Sequence, residues 1–232
     1  MKAYTVRIIS FLALSIFTIS SCLSQDCSRF YPFSENVTGE LTSYDKKGKV
    51  IAVVTYHVQE VSSSGGLETA TITSEVKDKK GDQIVETSYN ITCTGNGISM
   101  DFNSIMNPEL LQQYKDIEVD VTGTNVELPN DLSSGQTLPD ADLNMELDMG
   151  GLGMNISVMM IGRKVQNKES ITTPAGTFEC YVIKYTSKIK MGVGRTGSSK
   201  QWIAEDVGLV KQEDYNKKGK LTGSSMLTSF SK

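Results

Sequence analysis

The sequence predicts a mainly β protein, a strongly curved antiparallel sheet of roughly ten or more strands with one short helix. Three observations carry that expectation. Strand-period alternation recurs along the chain, most plainly where Leu143, Met145, Leu147 and Met149 are separated by Asn144, Glu146 and Asp148. Lysine-glycine turns punctuate it: Tyr44-Asp45-Lys46-Lys47-Gly48-Lys49 returns as Tyr215-Asn216-Lys217-Lys218-Gly219-Lys220, with a looser copy at Asp78-Lys79-Lys80-Gly81-Asp82. In each, Asp or Asn opens a type I turn and Gly takes the left-handed position that follows, which joins two antiparallel strands. The third observation is a scarcity of helix signals. Asn107-Pro108-Glu109 supplies an N-cap, a proline at the first helical position and an acid in the first turn, so a short helix is expected from there to Lys115, packed through Leu110, Leu111 and Tyr114.

In chain order, Lys2 and Arg7 precede an apolar run from Ile8 to Ile19 that suits the h-region of a secretory signal peptide and is too short to span a bilayer. Two processing patterns compete. Ile19-Ser20-Ser21-Cys22 fits a lipobox, in which Cys22 is lipid-modified, and Cys22-Leu23-Ser24 before Gln25 fits an ordinary cleavage site. Residues 1–24 are therefore assigned to the signal, ending at Cys22 in the lipoprotein alternative, and residues 25–232 to one β-rich domain. The net charge of the whole chain is −4, and removal of the leader takes away Lys2 and Arg7 but no acid. An acidic mature chain, with its lysine pairs in turns rather than along one stripe, argues against a nucleic-acid partner. Cys27, Cys93 and Cys180 remain in a compartment that permits disulfides. One bridge and one buried thiol are expected, with Cys27 and Cys93 favoured because that bond ties the N-terminal segment to the sheet; spacing does not fix the pairing, and three small buried residues are the competing reading.

Val50, Ala52, Val54, Tyr56 and Val58 form the apolar side of a long strand, and His57, the only histidine, lies with Thr55 and Gln59 on the polar side, without a neighbouring nucleophile or acid. Thr69 to Lys77 and Gln83 to Cys93 read as a hairpin, and Ile117, Val119 and Val121 as a half-buried strand. The stretch from Pro129 to Pro139 reads as a loop and a candidate mobile flap. Leu143, Met145, Leu147 and Met149, then Met154, Ile156, Val158 and Met160 after Gly150-Gly151-Leu152-Gly153, form a hairpin with one wholly apolar face. Methionine is flexible enough to line a wall that accepts apolar groups of varied shape, and core filling is the alternative use of such a face. No Cys or His cluster supports a metal, and thioethers alternating along a strand do not converge on copper.

Thr172-Thr173-Pro174-Ala175-Gly176-Thr177 is a tight turn that delivers the chain into a strand apolar on both sides, with Phe178, Cys180 and Val182 on one face and Tyr181, Ile183 and Tyr185 on the other. Such a strand is covered on both faces, or has one face on a core and one on a ligand cavity. Gly192 to Ser199 reads as a Gly/Ser-rich loop without the helix that a phosphate-binding loop needs. Trp202 to Lys211 reads as strand, turn, strand, and Leu221 to Phe230 as the last strand.

The exported N-terminus, T-T-P-A-G-T-F-E-C-Y-V-I from Thr172, W-I-A-E-D-V-G-L-V-K from Trp202 and Y-N-K-K-G-K-L from Tyr215 together resemble a family of exported envelope proteins of the Bacteroidetes type, some labelled TapB-like. They are similar to a broader group of domains of unknown function that share a P-A-G-x-F turn and a W-x(4)-V-G-x-V ending. That resemblance implies an open β-barrel with a helix in its mouth, loosely similar to periplasmic lipoprotein-carrier folds, and it brings no activity or catalytic residue.

The resulting expectation is a non-enzymatic protein of the periplasm or envelope that binds a lipid, acyl chain or other apolar ligand against Met145, Leu147, Met149, Met154, Ile156 and Met160, without cofactor or metal. Membrane contact is expected only through a lipidated N-terminus. The alternative is a structural or protein-interaction module of the envelope in which the same residues fill a closed core. No Ser/His/Asp, Cys/His or paired-carboxylate arrangement supports a hydrolase.

Overall fold

The lysine-glycine turns set the pattern from which the sheet is built. The structure, a computed structural model, describes residues 27–101, 118–148, 153–191 and 193–232. The expected helix at Asn107 to Lys115 lies outside the described residues. Asp45 Oδ1 accepts the backbone N–H groups of Lys47 and Lys49 at 2.8 and 2.9 Å, Asp78 Oδ1 those of Lys80 and Asp82, and Asn216 Oδ1 those of Lys218 and Lys220. Gly48, Gly81 and Gly219 take φ of 75°, 91° and 70°, the left-handed conformation that lets the chain reverse. One turn chemistry is thus used three times, and it joins β1 (Thr38–Asp45) to β2 (Val50–Ser64), β3 (Leu67–Asp78) to β4 (Gln83–Cys93), and β12 (Gly208–Asn216) to β13 (Leu221–Ser231).

The remaining strands are β5 (Gly97–Met100), β6 (Glu118–Thr124), β7 (Val126–Pro129), β8 (Ala141–Asp148), β9 (Gly153–Thr173), β10 (Gly176–Met191) and β11 (Val193–Ala204). All pair antiparallel in one sheet of 13 strands, in the order β6-β8-β9-β10-β11-β12-β13-β1-β2-β3-β4-β5-β7. The two edge strands, β6 and β7, are consecutive in the chain and separated by Asn125 alone. One run, 118–129, therefore leaves one edge of the sheet and enters the other, which rolls the sheet into a nearly closed barrel. Side chains fasten both sides of this seam. Thr124 Oγ1 donates to Asp142 Oδ1 at 2.8 Å and accepts the Asp142 N–H, while Asn125 Nδ2 donates to Ser99 Oγ at 2.9 Å. A Cβ on Gly123 would collide with the Asp142 carbonyl, so the close approach there requires glycine.

The stretch expected as a flap is built into the wall instead. β8 pairs only with the N-terminal part of β9, and beyond it the segment 133–138 takes over: Gly135 N–H and Leu138 N–H donate to the carbonyls of Val165 and Arg163, and Val165 N–H donates to Gln136 O, each at 2.9 Å. Leu132 and Leu138 bury themselves in the core. The segment is a loop, as its polar and glycine content suggests, and it satisfies backbone groups left open along β9. The loop expected after Gly192 is corrected, since that Gly/Ser-rich stretch belongs to β11. Gly197 sits against the Tyr215 carbonyl, where any Cβ would clash, so its small residues permit close strand approach.

The large core gathers Val58, Ala70, Ile72, Ile91, Ile98, Leu128, Val165, Tyr181, Ile183 and Ile203, contributed by strands all round the sheet, with Phe30 and Val37 of the N-terminal segment among them. Phe30 meets the Tyr181 ring edge-on at 5.6 Å between centroids. Cys27 and Cys93 are disulfide-bonded, with Cα atoms 5.4 Å apart, so that segment is fastened to the end of β4. Restricting the 66-residue separation contributes about 2–4 kcal/mol. β10 is covered on both faces. Tyr181 and Ile183 join the large core, and Cys180 and Val182 join Trp202, Ala204, Val207, Val210 and Leu227 in a second one. Trp202 Nε1 donates to Glu169 Oε2 at 2.8 Å. Burial pushes the Cys180 thiol up to about 12, which leaves it an inert packing group.

Arg163 closes the gap at the seam. Its residue is 1 % exposed, and Nη1 donates to Glu127 O on β7 and Pro139 O before β8, at 3.0 and 2.9 Å. Burial holds its pKa below the ordinary guanidinium value, against the opposing pull of Tyr185, Tyr31, Asp140 and Glu127. Arg163→Ala strands both carbonyls and leaves a cavity, so a loss of about 3 kcal/mol is expected in denaturant unfolding. A loss below about 1 kcal/mol would show that the seam holds without it.

Candidate functional site

Between the apolar core and the hairpin end of the barrel lies a row of polar residues set by strand register. Tyr185 of β10 is paired with Ser199 of β11, and Ser199 with Asp214 of β12. Ser199 Oγ donates to Asp214 Oδ1 at 2.6 Å, and the neighbouring row holds Gln201, whose Nε2 donates to Gln212 Oε1 at 2.9 Å. Alternation puts Tyr185 and Ile183 on the same face, so these polar groups continue the face that forms the large core. Burial pushes the Tyr185 phenol up to about 12, with the Ser199 hydroxyl and Arg163 pulling the other way and Asp214 adding to the rise.

Beyond this row the structure opens into a cavity of about 670 Å³, lined by Ser187 and Ile189 of β10, the stretch from Gly194 to Ser199, Asp214, and the turn residues Asn216, Lys217 and Lys218. That volume lies within the range of small-molecule sites, about 300–1,000 Å³. The Met-rich hairpin adjoins it by register. Met160 pairs with Ser187, Val158 with Ile189 and Ile156 with Met191, and on the next strand Ala141, Leu143, Met145 and Leu147 pair with Met160, Val158, Ile156 and Met154. The apolar face of the hairpin and the cavity-lining positions of β10 are therefore one continuous face. Met160 is buried against Ala141 and Tyr185, with Val126 packed beside them.

A bulge makes this continuity possible. Gly162, with φ of 63° and its N–H donated to Asp140 Oδ1 at 2.7 Å, shifts the register of β9 so that Met160 on one side, and Arg163 and Val165 on the other, all lie buried. Of the other expected ligand contacts, Met145, Leu147, Met154 and Ile156 are fixed here by backbone register, and Met149 lies outside the described residues, as does the expected lipidation site Cys22. Sequence reasoning missed Tyr185, Ser199 and Asp214 as a row, and Gly194 to Ser199 as cavity lining, because the Gly/Ser composition hid a strand. The signal present was the length of the run between Met191 and Trp202, too long for a hairpin loop. Among the described residues no group of three His, Cys, Asp or Glu is placed to hold a metal ion.

Fold and site together define an antiparallel barrel, packed at one end and open at the other. The chain belongs to the DUF3108-like family, whose model matches residues 35–227. Two solved structures share the fold over 89 % of this chain and 100 % of their own. One is from Bacteroides fragilis, classed as an exported protein with a YmcC-like fold, with 21 % identity and a TM-score of 0.72. The other, from Parabacteroides distasonis and classed as a lipoprotein, has 23 % identity and a TM-score of 0.73. No curated protein matches the chain.

Buried phenols give the fold a signature in alkaline solution. Tyr31 and Tyr185 are pushed up to about 12 by burial, and Tyr56 and Tyr89 are raised further. Each binds its proton more tightly folded than unfolded, so the stability it contributes is complete below pH ~10 and is lost as pH rises through the folded values. Absorbance titration near ~295 nm should show these four ionising only with cooperative unfolding, well above pH ~10. A single transition at pH ~10 with the fold intact would contradict this burial.

Proposed function

We propose that this protein is a non-enzymatic component of the bacterial envelope that holds a lipid or other apolar ligand in the open end of its barrel. The observation that carries the reading is the register that joins the Met-rich face of β8 and β9 to Ser187 and Ile189, which line the cavity. Ile189 is 44 % exposed there, an aliphatic side chain without a full complement of neighbours. Thioethers and aliphatics accept acyl chains of varied shape, and the Ser199–Asp214 row offers hydrogen bonds to a polar end. A leader from Met1 to Ser24, with lipidation at Cys22 as its alternative ending, supports export, and the two solved relatives carry the same kinds of description. Within its family we place the chain with the TapB-like envelope proteins, on the T-T-P-A-G-T-F and W-I-A-E-D-V-G-L-V signatures.

The competing use, a structural or interaction module, draws on the solid packing of the closed end around Phe30 and Val37. Native mass spectrometry of the protein purified gently from an envelope fraction separates the two. A co-purifying lipid near one per chain is expected, and Ile189→Asp should lower its occupancy at least ~tenfold while moving the melting temperature by under ~3 °C, because the side chain is exposed. A clean apo mass that also refuses lipid on titration would overturn the reading.

A further inference from the structure

The three lysine-glycine turns, scattered in sequence, meet at one end of the barrel. In the order β12-β13-β1-β2-β3-β4, antiparallel alternation puts the hairpins at 216–221, 45–50 and 78–83 on the same end of neighbouring strands. They carry Lys46, Lys47, Lys49, Lys79, Lys80, Lys217, Lys218 and Lys220, all exposed, and among the described residues none of these is in an ion pair. Lysine pairs expected to be dispersed thus form one basic rim. Asp45 and Asp78 in the same turns are drawn onto backbone N–H groups, and those N–H groups hold the Asp45 carboxyl below its ordinary value.

The rim is also apolar. Of the large apolar side chains that the described residues expose, Val50, Ile51, Ile84, Ile189 and Leu221 all lie at this end, and only Leu67 lies at the other. Ile51 and Ile84 are 51 % and 52 % exposed. A chain with a net charge of −4 therefore concentrates lysines and bare aliphatics around the mouth of its cavity, whose lining includes Lys217 and Lys218.

We propose that this rim docks on an anionic lipid bilayer, the lysines meeting phosphate head groups and Ile51, Ile84, Val50 and Leu221 entering the interface. The exposed large apolar side chains beside the lysines are all aliphatic, and Tyr44 and Tyr215, which open two of the turns, are half-buried. That favours a bilayer over a single-stranded nucleic acid, which would need exposed stacking surfaces. The contact is distinct from an N-terminal lipid. Cys27 is bonded to Cys93 at the opposite end of β4 from its lysine turn, on the order of 35 Å away along 11 residues. The rim contact does not depend on the cavity being filled.

The test is co-sedimentation of the exported protein with vesicles of phosphatidylcholine alone or with about 30 % phosphatidylglycerol. Binding is expected only to the anionic vesicles and should fall at least ~tenfold in about 0.5 M salt. Lys46→Glu, Lys47→Glu, Lys79→Glu and Lys80→Glu together, none of them lining the cavity, should abolish it, and Ile51→Asp alone should weaken it several-fold. Lys164→Glu with Lys184→Glu, exposed on the barrel wall, should bind like the parent. No binding, equal binding to neutral vesicles, or full binding by the fourfold variant would overturn the proposal, and because lipid occupancy by native mass spectrometry is read separately, that failure is distinguishable from an empty cavity.

Discussion

The passage of one chain segment from edge to edge of the sheet is the constraint on which the rest depends. With only Asn125 between them, β6 and β7 cannot sit far apart, yet one pairs with β8 and the other with β5. Twelve antiparallel pairings are thereby forced round a common axis, and the two edge strands, which do not pair with each other, meet at one seam. The closure is incomplete where β8 stops pairing with β9. There the chain supplies a loop segment at 133–138, hydrogen-bonded to β9, and one buried guanidinium, which donates to the carbonyls of Glu127 and Pro139. Burying that charge is costly, and its place is explained by two acceptors that no apolar side chain could serve.

The two ends of the barrel are then made different by what enters them. At one end the N-terminal segment is inserted, with Phe30 and Val37 in the core and the Cys27–Cys93 bond to β4. At the other end nothing described enters, and the face lined by Met160, Tyr185 and Ile189 passes from packed to open. The Tyr185–Ser199–Asp214 row marks the transition. Ser199 donates to Asp214, which also accepts from Gln212, so these polar atoms can border both an apolar core and a solvated cavity.

What could be read in the sequence was what local chemistry decides. Asp or Asn followed by Lys-Lys-Gly dictates its own hairpin through side-chain to backbone bonds, and the two-sided pattern from Phe178 to Tyr185 requires cover on both faces whatever supplies it. The alternating Met-rich face was legible for the same reason. Its position beside the cavity was not, because that depends on a bulge at Gly162 and on pairing with β10. Composition misled at Gly192 to Ser199, where small residues serve as barrel wall and not as loop. Arg163 gave no sign at all, since its partners lie on β7 and before β8. The assembly of eight lysines on one rim was also beyond reach, for strand order alone brings the three turns together.

The structure is a barrel closed at the N-terminal segment and open beside Ile189, where we propose that an apolar guest binds. A crystal structure of the exported protein grown with a bromine-labelled acyl chain tests it most directly. Anomalous density for bromine is expected in the cavity beside Ser187 and Ile189, with the polar end of the chain toward Ser199 and Asp214. Bromine on another surface, or side chains filling that cavity with the acyl chain present in the crystal, would contradict it.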